Sequence, residues 1–370
     1  MNYKVKVVCR VICLALAIFL PSSAVGQESG YHKIDKRTAK KILREEDPAF
    51  FKSEESVRIG DQLLLWQRAT GGWPKNEDMV SPMSDELKSK VAADKYRQDD
   101  STTDNDATTL QMTYLARLYK ATGHQRFRKA FQAGLEYLLS GQYENGGWPQ
   151  FWPVMHDYQT HITYNDDAMV STMTLLRDVA LGKSPFDSDL CDEDMKERLI
   201  ESFNKGVECI LATQIVVDGE PTVWCQQHDR VSLLPAKARS YELPSYCSQE
   251  SAAIVKLLME IPNPDERIVK AIDGAMKWFG ENRIKYVRHK RENIEGKWIV
   301  SLEENPEDDT PVWARYYDLE DCQPFVCDRD GIPRRHLEEI GEERRTGYSW
   351  YNDRPSYLFP IYEEWKSNLK

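Results

Sequence analysis

Apolar side chains recur every three or four residues along most of this chain, which is the spacing that buries one face of an α-helix. Leu110, Tyr114, Leu115 and Leu118 show the pattern clearly. A helix start is marked at Ser53, which is followed by two glutamates. The pattern predicts helices over residues 36–44, 53–66, 110–119, 127–138, 168–179, 195–212, 251–259, 268–279 and 358–365.

The pattern changes near Tyr286, where short apolar runs begin to alternate with polar turns. Such runs are typical of β-strands that lie half buried. We therefore expect a mainly α-helical protein with a smaller β-rich C-terminal portion before the last helix. The predicted strands cover residues 286–288, 297–302, 312–317 and 325–327.

The helical part contains a weak internal repeat. Gly-Gly-Trp-Pro occurs at 71–74 and again at 146–149, and an acidic cluster occurs at 104–107 and again at 165–168. A third loop leads into a helix near Ser248. Paired helices whose polar loops gather on one face describe an α/α toroid. We therefore expect an (α/α)3 toroid, which is an incomplete α/α barrel, with the inner helices' N-termini around a central cleft.

Residues 1–26 have the composition of a secretory signal peptide. Lys4, Lys6 and Arg10 precede an unbroken apolar run over 11–20, and small residues follow the run. The run is too short for a comfortable membrane span, although an N-terminal anchor is the alternative. We expect an exported protein, periplasmic or extracellular, with no membrane attachment after cleavage.

The remaining chain, 27–370, contains no proline- or glycine-rich linker, and we predict a single domain. The full sequence carries 49 basic and 60 acidic side chains, a net charge of −11, which loss of the signal peptide would deepen to −14. This acidic excess argues against nucleic-acid binding and, at first sight, against a polyanionic partner. Six cysteines would remain, and the sequence does not choose their pairing. Nothing requires a second copy, so we expect a monomer.

The two acidic clusters allow two interpretations. Asp104, Asp106, Asp166 and Asp167 stand at predicted helix starts, where aspartate is favoured as a cap. Because the clusters occupy equivalent repeat positions, they could instead meet at one rim and bind Ca²⁺, which takes roughly six to eight oxygen ligands. Such an ion would be held loosely and completed by substrate. The sequence leaves both interpretations open.

The Gly-Gly-Trp-Pro turns also allow two interpretations. Each tryptophan could plug the core, or it could form a flat aromatic wall beside a sugar ring. Lys75 and Asn76 follow the first turn directly and would supply a cation and an amide to an acidic sugar.

Four later stretches bring polar and aromatic groups together. Residues 224–229 and 235–242 lack helical periodicity, which favours a functional loop over a core, although His228 alone would more often be structural. Arg315 and Arg329 lie in strand-like stretches flanked by aromatic residues. Solvated arginines are common there, but two that face a cleft would bind carboxylates through paired hydrogen bonds.

Taken together, these segments resemble the pectate lyases of polysaccharide lyase family 10. The resemblance runs from about residue 71 to residue 357, and its specificity lies in the order and spacing of the motifs. It implies an (α/α)3 toroid with a β-rich portion and Ca²⁺-assisted anti β-elimination on polygalacturonate (pectate), giving 4,5-unsaturated galacturonate ends. The motifs are GGWPKN at 71–76, TDNDAT at 103–108, GGWPQFWP at 146–153, HITYNDDAM at 161–169, WCQQHD at 224–229, PAKARSYELPSYCSQES at 235–251, VWARYYDLEDCQPFVCDRDG at 312–331 and RRTGYSWY at 344–351.

The resemblance also implies roles for single residues. Arg239 corresponds to the arginine that acts as the Brønsted base in this family. Asp104 and Asp166 correspond to ligands of Ca²⁺ and of the substrate carboxylate. The sequence departs from the family pattern at Asp106, where glycine is expected, and at Cys247, where a small hydroxyl residue is usual. These departures bear on the preferred substrate more than on the reaction.

Four further residues are expected to bind substrate. Arg315 and Arg329 correspond to arginines that contact substrate carboxylates. Lys75 and Asn105 adjoin the first acidic cluster and would contact polygalacturonate or a related acidic polysaccharide.

Three other functions are open at this point. A Gln-x₅-Trp spacing at 67–73 and 142–148, with Asp99 and Asp100, fits a terpenoid cyclase, although a cyclase needs an apolar cavity. A glycoside hydrolase would use two carboxylates, for which the acidic clusters are available. A pectin-binding protein without activity would keep the loops and lose the base, whereas Arg239 is present.

Overall fold

The structure is a computed structural model that describes residues 35–369; the predicted signal peptide, 1–26, lies outside the described residues. Helices dominate, as the sequence pattern predicts. Among the described residues, no helix has both the length and the apolar character needed to cross a membrane. The helices are α1 (Lys36–Leu43), α2 (Glu54–Trp66), α3 (Asp85–Ala93), α4 (Thr109–Thr122), α5 (Gln125–Ser140), α6 (Ala168–Ala180), α7 (Glu193–Thr213), α8 (Ser248–Met259), α9 (Glu266–Glu281), α10 (Glu342–Gly347) and α11 (Leu358–Asn368).

The helices form two rings. The inner helices are α4, α6 and α8, and they pack against the outer helices α5, α7 and α9 respectively. The inner helices also contact one another in sequence order. The inner helices are apolar on more than one face because they touch both neighbours and the outer ring; in α8, ten of its residues are buried. The predicted (α/α)3 toroid is therefore confirmed.

Short strands cover one part of the toroid, and the predicted β-rich C-terminal portion is confirmed. The main sheet has the antiparallel order β11–β10–β9–β5, and the remaining strands pair as β1–β4, β2–β3, β6–β7 and β8–β12. The strands are β1 (Ile162–Thr163), β2 (Val216–Val217), β3 (Glu220–Pro221), β4 (Gln227–His228), β5 (Tyr246–Cys247), β6 (Val287–Ile294), β7 (Lys297–Glu304), β8 (Trp313–Ala314), β9 (Tyr316–Tyr317), β10 (Pro324–Cys327), β11 (Pro333–Arg334) and β12 (Tyr351–Asn352).

The predicted strand over 312–317 is interrupted at Arg315. Its backbone N–H donates to the carbonyl of Trp350 at 2.7 Å, and its carbonyl accepts from the N–H of Ser248 at 3.0 Å. These two bonds tie the strand-rich part to the first residue of α8, and they separate β8 from β9.

Glutamines connect successive outer helices. Gln67, Gln142 and Gln214 stand at or just after the ends of α2, α5 and α7, and each side-chain amide donates to a carbonyl in the next outer helix. The Gln-x₅-Trp spacing is thus a structural tie, which removes the sequence feature that favoured a cyclase. The carbonyls belong to Ala130, Ser202 and Ala271, at 2.8, 2.8 and 2.9 Å.

The tryptophan turns fill the core. Trp73, Trp148 and Trp224 are at most 1% exposed, and each indole N–H donates to a carbonyl of the preceding outer helix. The core-plug interpretation is confirmed, and the aromatic-wall interpretation is wrong. A buried indole needs a partner for its N–H, and the helix end supplies one.

Gly146 should tolerate alanine less well than Gly123. Both have positive φ, 89° and 69°, so each alanine variant should lose about 1–2 kcal/mol to backbone strain. A Cβ at Gly146 would also lie 1.9 Å from the carbonyl oxygen of Lys205, whereas one at Gly123 would meet nothing within 4 Å. Urea unfolding should therefore place Gly146→Ala well below Gly123→Ala in free energy of unfolding. Equal losses would contradict the close packing of this turn.

Candidate active site

Two short 3₁₀ turns, Asp104–Asp106 before α4 and Asn165–Asp167 before α6, pack against each other. Asn105, Asp106, Asp166 and Asp167 all have left-handed backbone, with φ between 51° and 64°, which Asn and Asp adopt more readily than most residues. Neither helix receives a side-chain cap from its cluster. The capping interpretation is therefore wrong for these aspartates, and their carboxylates are free for other partners.

One aspartate of each turn pairs with cations of neighbouring segments. Asp106 accepts from Lys40 at 3.0 Å and Arg44 at 2.7 Å, both in or beside α1. Asp167 accepts from Arg354 at 2.5 Å. These contacts distinguish the two aspartates from Asp104 and Asp166.

Asp104 is buried and meets a cation. Its Oδ2 accepts from the Lys75 ammonium and, at 2.9 Å, from the side-chain amide of Gln150. Its Oδ1 is also buried and has no hydrogen-bond partner among the described residues. Lys75 lies over the ring of Phe151 at 5.1 Å. Lys75 and Asp104, two of the predicted site residues, are thus adjacent. In the described part of the chain, the Oδ1 of Asp104 has no hydrogen bond, which is uncommon for a buried polar atom.

Asp166 lies in a field of competing charges. Burial, with smaller contributions from the carboxylates of Asp104 and Glu250, raises its pKa to about 6 against the opposing guanidinium of Arg315. Arg315 Nη2 lies 3.4 Å from Asp166 Oδ1, and the side-chain amide of Asn165 donates to the other oxygen at 3.2 Å. The charge of Arg239 also acts to lower this pKa. The two acidic turns and both arginines therefore belong to one electrostatic site.

Glu250 is a site residue that sequence reasoning missed. It is fully buried in the first turn of α8, and it forms a close ion pair with Arg315, which is 3% exposed. The thiol of Cys247 donates to its Oε2 at 2.6 Å. Because α8 starts the third repeat, its first turn is the counterpart of the acidic turns that precede α4 and α6. The carboxylate at this helix start was the available signal.

Removing Glu250 should destabilise the protein strongly. Glu250→Ala would leave the buried Arg315 with no carboxylate closer than Asp166 at 3.4 Å, and breaking a buried pair typically costs about 3–5 kcal/mol. The measurement is the free energy of unfolding in urea. Glu136→Ala, which breaks the exposed pair with Arg198, is the matched control and should unfold much like the wild type. A neutral Glu250→Ala variant would contradict the assigned ion pair.

Arg239, the predicted base, lies at the cleft surface beside a buried carboxylate. Its Nε donates to Glu242 Oε2 at 2.7 Å, and Nη2 contacts the other oxygen. The hydroxyl of Tyr348 donates to the same carboxylate at 2.8 Å. Burial acts to lower the pKa of Arg239, but the hydrogen bonds and charge of Glu242 outweigh it and raise that pKa above the ordinary value. Without substrate, Arg239 is therefore a guanidinium cation.

Three arginines surround Tyr241. The guanidinium carbons of Arg239, Arg329 and Arg344 lie 4.9, 5.8 and 4.5 Å from its ring centroid. Arg329 is exposed and pairs with Glu343 at 2.9 Å. It therefore lies at the rim beside Arg239. Arg344 joins this cluster although sequence reasoning did not single it out.

Tyr158 connects the arginine cluster to the acidic turns. Burial raises its pKa, and among charged groups Arg239, Glu242 and Asp104 all act on it. Asn105, in contrast, lines a recess beneath α1 together with Lys75. Most of the predicted site residues thus act on one another electrostatically, and Asn105 lines a neighbouring recess.

Two other candidate groups are structural. The buried ring of His228 accepts from the N–H of Cys225 at 3.0 Å and bonds the carbonyl of Leu233 at 2.9 Å, and burial lowers its pKa to about 4. It is neutral and fixed in place. The six cysteines of residues 35–369 are unpaired thiols.

The same toroid and cleft occur in a known family. The profile of the pectic acid lyases ("Pectic acid lyase") matches residues 67–359. The chain belongs to the pectic acid lyase family. It is a polysaccharide lyase, and the resemblance to family 10 is confirmed.

Two solved structures of the family 10 polysaccharide lyase from Cellvibrio cellulosa are similar to this chain. One is a mutant in complex with trigalacturonic acid, with a TM-score of 0.75, 29% sequence identity, and coverage of 88% of this chain and 96% of that one. The other has the same TM-score and identity, with 89% and 96% coverage. No curated protein sequence matches this pectic acid lyase significantly.

Proposed function

We propose that this protein cleaves polygalacturonate, or a closely related acidic polysaccharide, by Ca²⁺-assisted anti β-elimination. The proposal is carried by the position of Asp166, whose carboxylate lies 3.4 Å from Arg315 and is acted on by the charges of Asp104 and Arg239. The galacturonate trimer in the related Cellvibrio structure supports the same class of substrate.

The chemical demand is the removal of a feebly acidic proton. In galacturonate the C5 proton adjoins a carboxylate, so its loss places a second negative charge on an anionic group. Stabilising that charge is the main catalytic requirement. The C5–H electron pair then forms the C4–C5 double bond, the C4–O bond breaks with its own pair, and the leaving oxygen is protonated.

Buried and rim arginines meet that demand from this chain. Arg315 is held in a fixed orientation by Glu250 and by Asn165, whose Oδ1 accepts at 3.0 Å. A fixed guanidinium can bind a carboxylate in a defined plane. Arg329, exposed at the rim, would bind the carboxylate of a neighbouring sugar, and Lys75 would lie beside the acidic turn.

Arg239 would act as the base that takes H5. Its ordinary pKa already lies far above neutral pH, and Glu242 holds it higher still. It must therefore lose its proton when substrate arrives, and burial under the sugar chain together with nearby cations favours the neutral form. Arg329 and Arg344, which contact the same Tyr241 ring, are the cations at hand. Because the pKa of the free guanidinium is high, activity should still require alkaline pH.

The acidic turns fit a weakly held Ca²⁺ ion. The unpartnered Oδ1 of Asp104 and the carboxylate of Asp166 are hard oxygen donors. Within residues 35–369, no group of three or more His, Cys, Asp or Glu side chains is arranged for a metal, so substrate oxygens would have to complete the coordination. When bound, the ion would neutralise the substrate carboxylate.

The setting of the reaction follows from the sequence. Residues 1–26 support export to the periplasm or the outside, and nothing calls for more than a monomer. Polygalacturonate would be met there as a long polymer.

An ultraviolet assay tests the proposed reaction directly. Incubation with polygalacturonate and Ca²⁺ at alkaline pH should produce a growing absorbance from the 4,5-unsaturated uronide. The number of new reducing ends should match the number of unsaturated ends. Reducing ends without that absorbance would overturn β-elimination.

A further inference from the structure

The β6–β7 hairpin is the longest strand pair among residues 35–369, and it projects one end beyond the protein body. Near its root, one face packs inward: Val300 is 5% exposed, and the ring of His289 lies 6.0 Å from that of Tyr351. Side chains that directly oppose each other in an antiparallel pair share a face. The same inward face therefore continues through alternate residues toward the tip of the hairpin.

Toward the tip the inward face becomes open. Trp298 pairs with Asn293 on it, and 46% of Trp298 is exposed. The guanidinium carbon of Arg291 lies 4.8 Å from the Trp298 ring centroid, and within the described chain it has no carboxylate within 4.0 Å. The Oδ1 of Asn293 accepts from the turn at Gly296, which leaves its N–H groups to donate outward.

The opposite face has a different character. There Lys290 pairs with Glu292 at 3.2 Å and lies 3.7 Å from Glu303. Ile299 is 47% exposed. The exposed indole and its neighbouring guanidinium therefore lie on the inward face, and an exposed aliphatic side chain lies on the other.

Strand β7 contacts the helix that carries part of the arginine cluster. It packs against α10, and α10 carries Arg344, which lies over Tyr241 beside Arg239. The hairpin is therefore joined through α10 to the surroundings of the candidate base.

We propose that the hairpin tip is an accessory contact for the acidic polysaccharide where the polymer extends beyond the cleft. The Trp298 indole stacks against a sugar ring, Arg291 pairs with a uronate carboxylate, and the Asn293 amide donates to a hydroxyl. This inference rests on the proposed function, since it takes the same polymer as the ligand. It makes the hairpin a determinant of preference for long chains over short ones.

The test compares Trp298→Ala with Ile299→Ala, neighbours of equal exposure on opposite faces. A stacked contact is worth about 0.5–1.5 kcal/mol, so Trp298→Ala should raise the KM for polygalacturonate about two- to tenfold. The KM for trigalacturonate should not change, so the ratio of the two KM values should rise by the same factor. Ile299→Ala should match the wild type, and Trp298→Phe should restore most of the loss. A wild-type KM ratio in Trp298→Ala, or an equal shift in Ile299→Ala, would overturn the inference.

Binding without turnover separates this inference from the proposed reaction. The same substitutions are placed in an Arg239→Ala chain and run through native gels with or without polygalacturonate. Polymer should retard the Ile299→Ala chain more than the Trp298→Ala chain. Equal retardation overturns the hairpin contact, whereas a wild-type enzyme that forms no unsaturated product overturns the reaction and leaves the gel comparison valid.

Discussion

Arg239→Ala is expected to lower kcat on polygalacturonate by about 10²–10⁴-fold, the usual contribution of a positioned base. Binding should change little, because Arg315 and Arg329 still face the substrate carboxylates. The rate is followed by ultraviolet absorbance of the unsaturated product. Arg239→Lys should fail as well, since an ammonium cannot reproduce the planar fork that Glu242 orients.

Arg329→Ala is the matched control for this experiment. Arg329 lies over the same Tyr241 ring as Arg239 but is exposed at the rim, so its loss should appear mainly in KM. If Arg239→Ala keeps wild-type kcat, the base has been assigned to the wrong residue. Equal falls in kcat for both variants would indicate a general effect of positive charge.

Removal of Ca²⁺ is expected to abolish activity, and its return to restore it. Asp104 and Asp166 alone offer too few oxygens to hold the ion without substrate, so a chelator should compete easily. Chelation should also weaken binding of polygalacturonate, because the acidic protein would then repel the polymer. The measurements are the rate and the polymer affinity against free Ca²⁺; activity or tight binding in excess chelator would refute the role of the metal.

A pair of variants from one turn refines that experiment. Asp104→Asn should raise the Ca²⁺ concentration needed for half-maximal activity, because it removes charge beside the unpartnered oxygen. Asp106→Asn changes the neighbouring carboxylate that contacts Lys40 and Arg44. It should leave the Ca²⁺ dependence unaltered even if stability falls. A shift of similar size in both variants would argue against different roles for Asp104 and Asp106.

Much of the fold could be predicted because helical periodicity and repeated motifs report local and repeated packing. The strand over 312–317 was only partly right, since its break at Arg315 depends on carbonyl and N–H partners far away in sequence. The aromatic-wall interpretation of Trp73 and Trp148 failed for a similar reason. A tryptophan in a loop can face inward or outward, and the deciding acceptor lies at the end of a helix.

The candidate site was predictable where a motif supplied the residue. Glu250 and Glu242 were missed because their importance lies in the arginines they contact, Arg315 and Arg239. Sequence spacing does not report such pairs. Composition also does not show which aspartate of each cluster anchors a neighbouring segment, since Asp106 has the same side chain as the other aspartates of the clusters.

The bonds that join Arg315 to Trp350 and to Ser248 have a consequence for biosynthesis. The cleft takes Lys75 from near the start of the toroid and Arg315 from near the end of the chain, and Trp350 is needed to hold the latter in place. A nascent chain that has not yet reached Trp350 therefore lacks the contact that orients Arg315. We expect chains truncated before Trp350 to be inactive toward polygalacturonate.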